Sequence, residues 1–161
     1  AEKKGMQSRC TFRLGDIRDI VKRENICDVL LWIAPPHIWR TARQTVKALR
    51  HCIRHGGILL VADAYVYALT KQFPEYETLE KMNAGLTAFG DILVRFYDQR
   101  GTLWKKDYRR ALQSAQTALV KEHDPKSQKA IRRYLVALKK DEKADITHLG
   151  LGIWVLQIRK S

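Results

Sequence analysis

Cys10-Thr-Phe-Arg-Leu-Gly-Asp16-Ile17 and, a little further on, Ile26-Cys-Asp-Val-Leu-Leu-Trp32-Ile-Ala-Pro-Pro36 are the segments whose reading decides the fold. The first reads as a short strand over residues 9–15 that ends in a Gly-Asp turn. The second, residues 26–34, is an apolar run interrupted only by Asp28, which suits a parallel strand buried on both faces. A third strand, Ile58 to Ala62, follows Gly56-Gly57 and stops at Asp63. Between the first two lies a helix over 17–24 with Ile17, Ile20 and Val21 inward. Between the second and third, residues 37–54 place Ile38, Ala42, Val46, Leu49 and Ile53 on one helical face. The cationic turn Arg54-His55 and the two glycines are stop signals for that helix. Two strand–helix–strand crossovers in succession predict a parallel α/β sheet.

The downstream half changes character. Tyr76 to about Asn83 reads as a helix closed near Gly85, and Asp91 to Asp98 as a strand. A long helical region then runs over about 102–145. Its first helix, about 105–122, lines up Tyr108, Leu112, Ala115 and Leu119. Its second opens at Asp124-Pro125, an N-cap followed by proline at the first helical position, and turns Ile131, Tyr134, Leu135 and Leu138 inward. Gly152-Ile-Trp-Val-Leu-Gln-Ile-Arg159 closes the chain as a strand.

The 161 residues, 45% hydrophobic with four Trp, suffice for a single domain (1–161) with a real core. No apolar run reaches the length of a membrane span, so no membrane partner is expected. Cys10, Cys27 and Cys52 are scattered, odd in number and without a Cys-x-x-Cys pair, which favours small core residues in a reducing cytoplasm over disulfides or zinc. The net charge of +13 favours anionic partners.

The order of elements, with Phe12-x-x-Gly15-Asp16, Gly56-Gly57 and the closing Gly-Ile-Trp-Val-Leu-Gln-Ile strand, resembles a class I S-adenosylmethionine-dependent methyltransferase from its third strand onward. Phe73-Pro-Glu-Tyr-Glu-Thr-Leu-Glu-Lys-Met82, Gly90-Asp91 and Trp104-x-x-Asp107-Tyr108 are similar to small members of that superfamily with a helical insertion before the last strand. The resemblance implies an incomplete Rossmann-like sheet and S-adenosyl-L-methionine as cofactor. It also implies methyl transfer to a small-molecule acceptor. Carried over by position, Asp16 would accept the adenine amino group and the Ile17 N–H would meet a ring nitrogen, which suits an acceptor beside a main-chain donor. Trp32, Ile33 and Ala34 would line the methionine end, because ligands of open parallel sheets sit outside the carboxyl ends of the strands. His37, Tyr65, Tyr67, Trp104 and Tyr108 are the candidate acceptor contacts. Ala34 stands where amino-group methyltransferases of the nucleic-acid type carry Asn or Asp before Pro-Pro, so that chemistry is not expected.

The glycine-rich first strand-turn-helix of the family is absent. In the family order three-two-one-four-five-seven-six, the strand at 9–15 would lie ~14 Å from that at 26–34, leaving buried edges unpaired. The expectation is that upstream residues or a second copy complete the sheet, with Ala1-Glu-Lys-Lys-Gly5 reading as the tail of the preceding helix.

Each candidate also has a plainer reading. Asp16 is a good N-cap for the helix at Ile17. Trp104, Tyr108 and Tyr134 fit core packing as well as a substrate pocket. No metal is expected at His51 and His55, four apart without acidic or Cys company. Arg40, Arg43, Lys47, Arg50 and Arg54 form a ladder that suits either a solvated face or contact with RNA or an acidic partner. That ladder supports the competing function, a non-catalytic basic α/β binding module.

Overall fold

The computed structural model describes residues 11, 14–23, 26–33, 38–99 and 102–160, with the side chains of 23, 102–104 and 146 left out of the description. Helix α1 (Ile17–Arg23) leads to strand β1 (Cys27–Ile33), helix α2 (Ala42–Leu49) and strand β2 (Ile53–Val66). Helix α3 (Leu79–Leu86) and strand β3 (Ile92–Asp98) follow. Two long helices, α4 (Thr102–Lys121) and α5 (Pro125–His148), then precede strand β4 (Leu149–Gln157).

The sheet order is β1-β2-β4-β3. β1 and β2 are parallel, and β4 runs antiparallel to both of its neighbours. This is the arrangement that the family order implies for the last four strands, with the reversed fourth strand inserted between the second and third in chain order. Register sets two rows of side chains on one face: Leu30, Leu59, Leu156 and Leu93, then Trp32, Val61, Trp154 and Phe96. Onto them pack Val46 and Leu49 of α2 and Met82 and Leu86 of α3, forming one core in which Trp154, Leu59 and Leu156 have no exposed surface. The Trp154 indole N–H donates to Asn83 Oδ1 at 2.7 Å, so even this buried polar group is satisfied.

The opposite face carries the rows Val29–Ile58–Gln157–Ile92, Leu31–Leu60–Val155–Arg95 and Ile33–Ala62–Ile153–Tyr97. It is covered at its far end, where Ala62, Ala64 and Val66 are buried outside the main core cluster, and open along β1. Val29, Leu31 and Ile33 are 54%, 60% and 61% exposed. The expectation that this strand is buried on both faces is therefore corrected: among the described residues β1 is an edge strand with one apolar face in solvent.

Other boundaries also move. The helix expected over 37–54 is only eight residues long, because His51 Nε2 and Cys52 Sγ both engage the Val21 carbonyl, at 2.6 and 3.1 Å. After a short 3-10 turn at Arg50–Cys52 the chain is already extended at Ile53. Gly56-Gly57 is no helix stop. It lies inside β2, where Gly56 takes φ +74° and a Cβ on Gly57 would sit 2.8 Å from the Asp28 carbonyl. His51 and His55 consequently share no helix. The helix expected over 76–83 begins at Leu79, after the Thr78 N-cap, whose hydroxyl accepts from Lys81 N. The strand expected over 9–15 falls mostly outside the described residues, and Thr11, Leu14 and Gly15 are not extended pairs. Cys10 also lies outside them. Cys52 is buried and Cys27 half-buried.

Asp124 caps α5 as its position implies, accepting from Ser127 N at 2.8 Å. Ile131, Leu135 and Leu138 turn toward α4, whereas Tyr134, expected inward, is 52% exposed. The two helices pack chiefly on each other and meet the sheet at their root.

Candidate functional site

β1, β2 and β3 all end on the same side of the sheet, because β3 and β2 are both antiparallel to β4. That side gathers Ile33, Tyr67 and Asp98, the loop from Phe73 to Glu77, the segment Trp39–Thr41 ahead of α2, and the root of the helical hairpin. Crevices of open α/β sheets form at this end.

Trp32 turns onto the core face and meets the Trp39 ring at 5.1 Å. Ile33 points to the other face. Ala34 and His37 lie outside the described residues, and so does the Trp104 side chain. Tyr65, a candidate acceptor contact, is 1% exposed. Its ring packs against Tyr67, Phe96 and Trp154, and its hydroxyl donates to Asp98 Oδ1 at 2.9 Å. Tyr65 is thus a core side chain that fixes the end of β3. Tyr67 is 39% exposed and lines an open groove with Thr78, Leu79, Glu80 and Asn83. Tyr108 donates to Asp145 Oδ2 at 2.5 Å across the hairpin root. Burial first, and the Asp145 carboxylate second, push its phenol well above the ordinary range.

Asp16 opens α1. Its carbonyl accepts from Asp19 N and Ile20 N, and its carboxylate accepts the Arg18 N–H at 2.8 Å. The Arg18 guanidinium forks onto both carboxylate oxygens, and these hydrogen bonds lower the Asp16 pKa to about 2. The same carboxylate thus caps the helix and is held in its ionised form by Arg18. As the first residue of the helix, Ile17 has an N–H with no intrahelical partner. An anionic acceptor next to a main-chain donor that the helix leaves unused has the polarity of an adenine edge.

Side chains that the motifs did not single out complete this end. Glu77 Oε2 accepts from Ala42 N at 2.6 Å, a carboxylate placed at the start of α2. Trp39, Thr41, Thr45, Asp63, Tyr76 and Glu77 surround a cavity of about 20 Å³, room for one water and not for a cofactor. The Tyr76 phenol is raised by burial and then by the charges of Asp63, Glu75 and Asp145. The one sequence signal for this group was the Phe-Pro-Glu-Tyr-Glu segment that precedes the Thr78 cap.

The Arg/Lys ladder is largely dismantled. Arg50 binds Asp91 at 3.1 Å, Arg54 binds Asp28, and the Arg43 and Arg50 guanidinium groups lie over the Phe89 ring. His51 and His55 are tied to the Val21 and Lys160 main chain. Among the described residues no cluster of His, Cys, Asp and Glu could hold a metal ion, and no helix is long and apolar enough to cross a membrane.

No family model and no curated relative matches the chain. Solved structures do. A SAM-dependent methyltransferase from Geobacter sulfurreducens, in complex with S-adenosyl-L-homocysteine, matches 98% of this chain and 68% of its own, with a TM-score of 0.77 at 20% identity. Its counterpart from Thiobacillus denitrificans, with the same ligand, gives 0.74 at 19% over 98% and 68%. A putative sarcosine dimethylglycine methyltransferase from Galdieria sulphuraria gives 0.74 at 12% over 98% and 63%. With a parallel β1–β2 pair joined through α2 and a reversed β4 between β2 and β3, the chain has the Rossmann-like fold of the class I S-adenosylmethionine-dependent methyltransferases.

Proposed function

We propose that this chain transfers a methyl group from S-adenosylmethionine to a small-molecule acceptor at the carboxyl end of its sheet. The observation that carries the reading is the likeness, over almost the whole chain, to methyltransferases crystallised with S-adenosyl-L-homocysteine. Asp16 and Ile17 take the adenine edge. Trp32, Ile33 and Ala34 form the wall at the methionine end, and His37, Tyr67, Trp104 and Tyr108 face the acceptor. Tyr65 acts at one remove by holding Asp98. When bound, the cofactor supplies both an electrophilic methyl group and its own leaving group. The chain's task is alignment and exclusion of water, with His37 or Asp63 available to take a proton from an uncharged nucleophile.

The bare face of β1 belongs to the same proposal. Polypeptide packed along Val29, Leu31 and Ile33 would pair the free edge and add the cofactor side of the crevice. The helical hairpin closes the acceptor side. Calorimetric titration with S-adenosylmethionine and S-adenosylhomocysteine, repeated with Asp16→Ala, tests the cofactor assignment. Saturable binding that weakens at least tenfold in the variant supports it, and equal affinity of the two proteins removes Asp16 from the site. Excision of the hairpin with unchanged acceptor KM and turnover would end the lid assignment.

A further inference from the structure

Among the described residues the cations of α2 and those of α5 are treated differently, the first being partly paired. On and after α2, Arg50 and Arg54 are paired with Asp91 and Asp28. On α5, Ile131, Leu135 and Leu138 turn toward α4, and helical spacing sends Lys129, Arg132, Arg133, Lys139, Lys140 and Lys143 to the outer side. All six are exposed. Among the described residues none of them is in an ion pair. Asp141 stands on the flank of the row. From Lys129 to Lys143 the row extends about 21 Å along the helix axis.

Such a row works against the helix that bears it. Lys129 and Arg133, and Lys139 and Lys143, stand four residues apart, where like charges repel. A helix that needed only to be solvated would intersperse acids. The apolar members of this face are Val136 and Ala137, which line a shallow groove with Lys129, Arg132 and Arg133. Bulky Trp, Phe or Leu side chains, by which basic helices bed into lipid, are missing from it. The complement of a long, straight, almost purely cationic row is a regular line of phosphates, and the +13 charge of the chain adds attraction at range.

We propose that the outer face of α5 docks the phosphate backbone of a nucleic-acid duplex, contacting successive phosphates without reading bases. The row uses none of the residues assigned to the cofactor or the acceptor, so binding requires no methyl donor and stands apart from the methyltransferase proposal.

The test is fluorescence anisotropy of the whole chain with a labelled RNA duplex of about 20 base pairs, across a salt series. Affinity is expected to fall by about 100-fold or more between about 50 and 200 mM salt. The set Lys129→Gln, Arg133→Gln and Lys140→Gln is expected to lower the log–log salt slope by about three contacts. Arg43→Gln with Lys47→Gln, on α2, should leave that slope unchanged. Circular dichroism checks that α5 persists, and the charge-keeping pair Lys129→Arg and Lys140→Arg must bind like the wild type. A glutamine set that retains the parental slope overturns the proposal. So does a wild-type chain that binds phosphatidylserine vesicles but not the duplex, which would make the row a membrane contact.

Discussion

Asp91 has no exposed side-chain surface, and both its oxygens are engaged: Oδ2 with Arg50 Nε, Oδ1 with the Arg50 guanidinium and with Arg159 N at 2.8 Å. It ties the end of α2 to the start of β3 and the end of β4. Asp91→Ala leaves the largely buried Arg50 without its counterion, and an expected loss of about 3–5 kcal/mol should appear as a lower urea midpoint. Arg54→Ala breaks an exposed pair with Asp28 and should cost under about 1 kcal/mol in the same assay. Asp16 carries the pH prediction. Its folded pKa, about 2, lies below the ordinary 3.8, so its contribution is present above the ordinary value and is lost as pH falls through about 2. Carbon-detected NMR titration should find that midpoint in the wild type and a rise toward 3.8 in Arg18→Ala. These residues also mark how far the sequence can be read. The Asp124-Pro125 cap was legible because its partner, Ser127, is three positions away. The bond from Arg50 to Asp91 was not, because its two ends lie in different elements and no local pattern joins them.

Elements were legible where periodicity is sustained, as in α4, α5 and β4. They were misread where local signals conflict. Residues 37–54 keep a helical stripe almost to Ile53, yet α2 stops at Leu49 because the Val21 carbonyl recruits His51 and Cys52 from outside the segment. β4 holds a tighter constraint. A Cβ on Gly150 would lie 2.3 Å from the Tyr65 ring, and one on Gly152 would lie 2.2 Å from the Trp154 ring. Gly150→Ala and Gly152→Ala should each destabilise by at least about 1–3 kcal/mol through overpacking, seen as a lower thermal midpoint. The hairpin behaves differently. Gln99 N donates to Leu151 O at 2.8 Å, so the chain leaves β3 and re-enters β4 almost at the same point. Replacing residues 100–148 with a two-residue Asn-Gly turn should leave a cooperatively folding sheet, with Tm shifted by no more than about 4–8 °C. A non-cooperative melt would mean that the hairpin supports the core.

For the molecule as a whole, the crossovers made an α/β sheet legible, and the strand order followed from the family order that the resemblance implies. What lies over β1 was not legible, because an apolar strand reads alike whether one face or both are covered. The bare face predicts self-association. Leu31→Lys should shift the sedimentation profile toward the monomer and leave helix content unchanged, since Leu31 is 60% exposed and outside the core. The hairpin has another consequence, in chain entropy. Because its two ends are already pinned side by side, lengthening or exchanging it adds a closure cost that grows only with the logarithm of its length, about 0.6 kcal/mol for each doubling. The sheet is therefore nearly indifferent to what stands between β3 and β4. That position can gain, lose or trade whole helices over evolutionary time while the core beneath keeps its register.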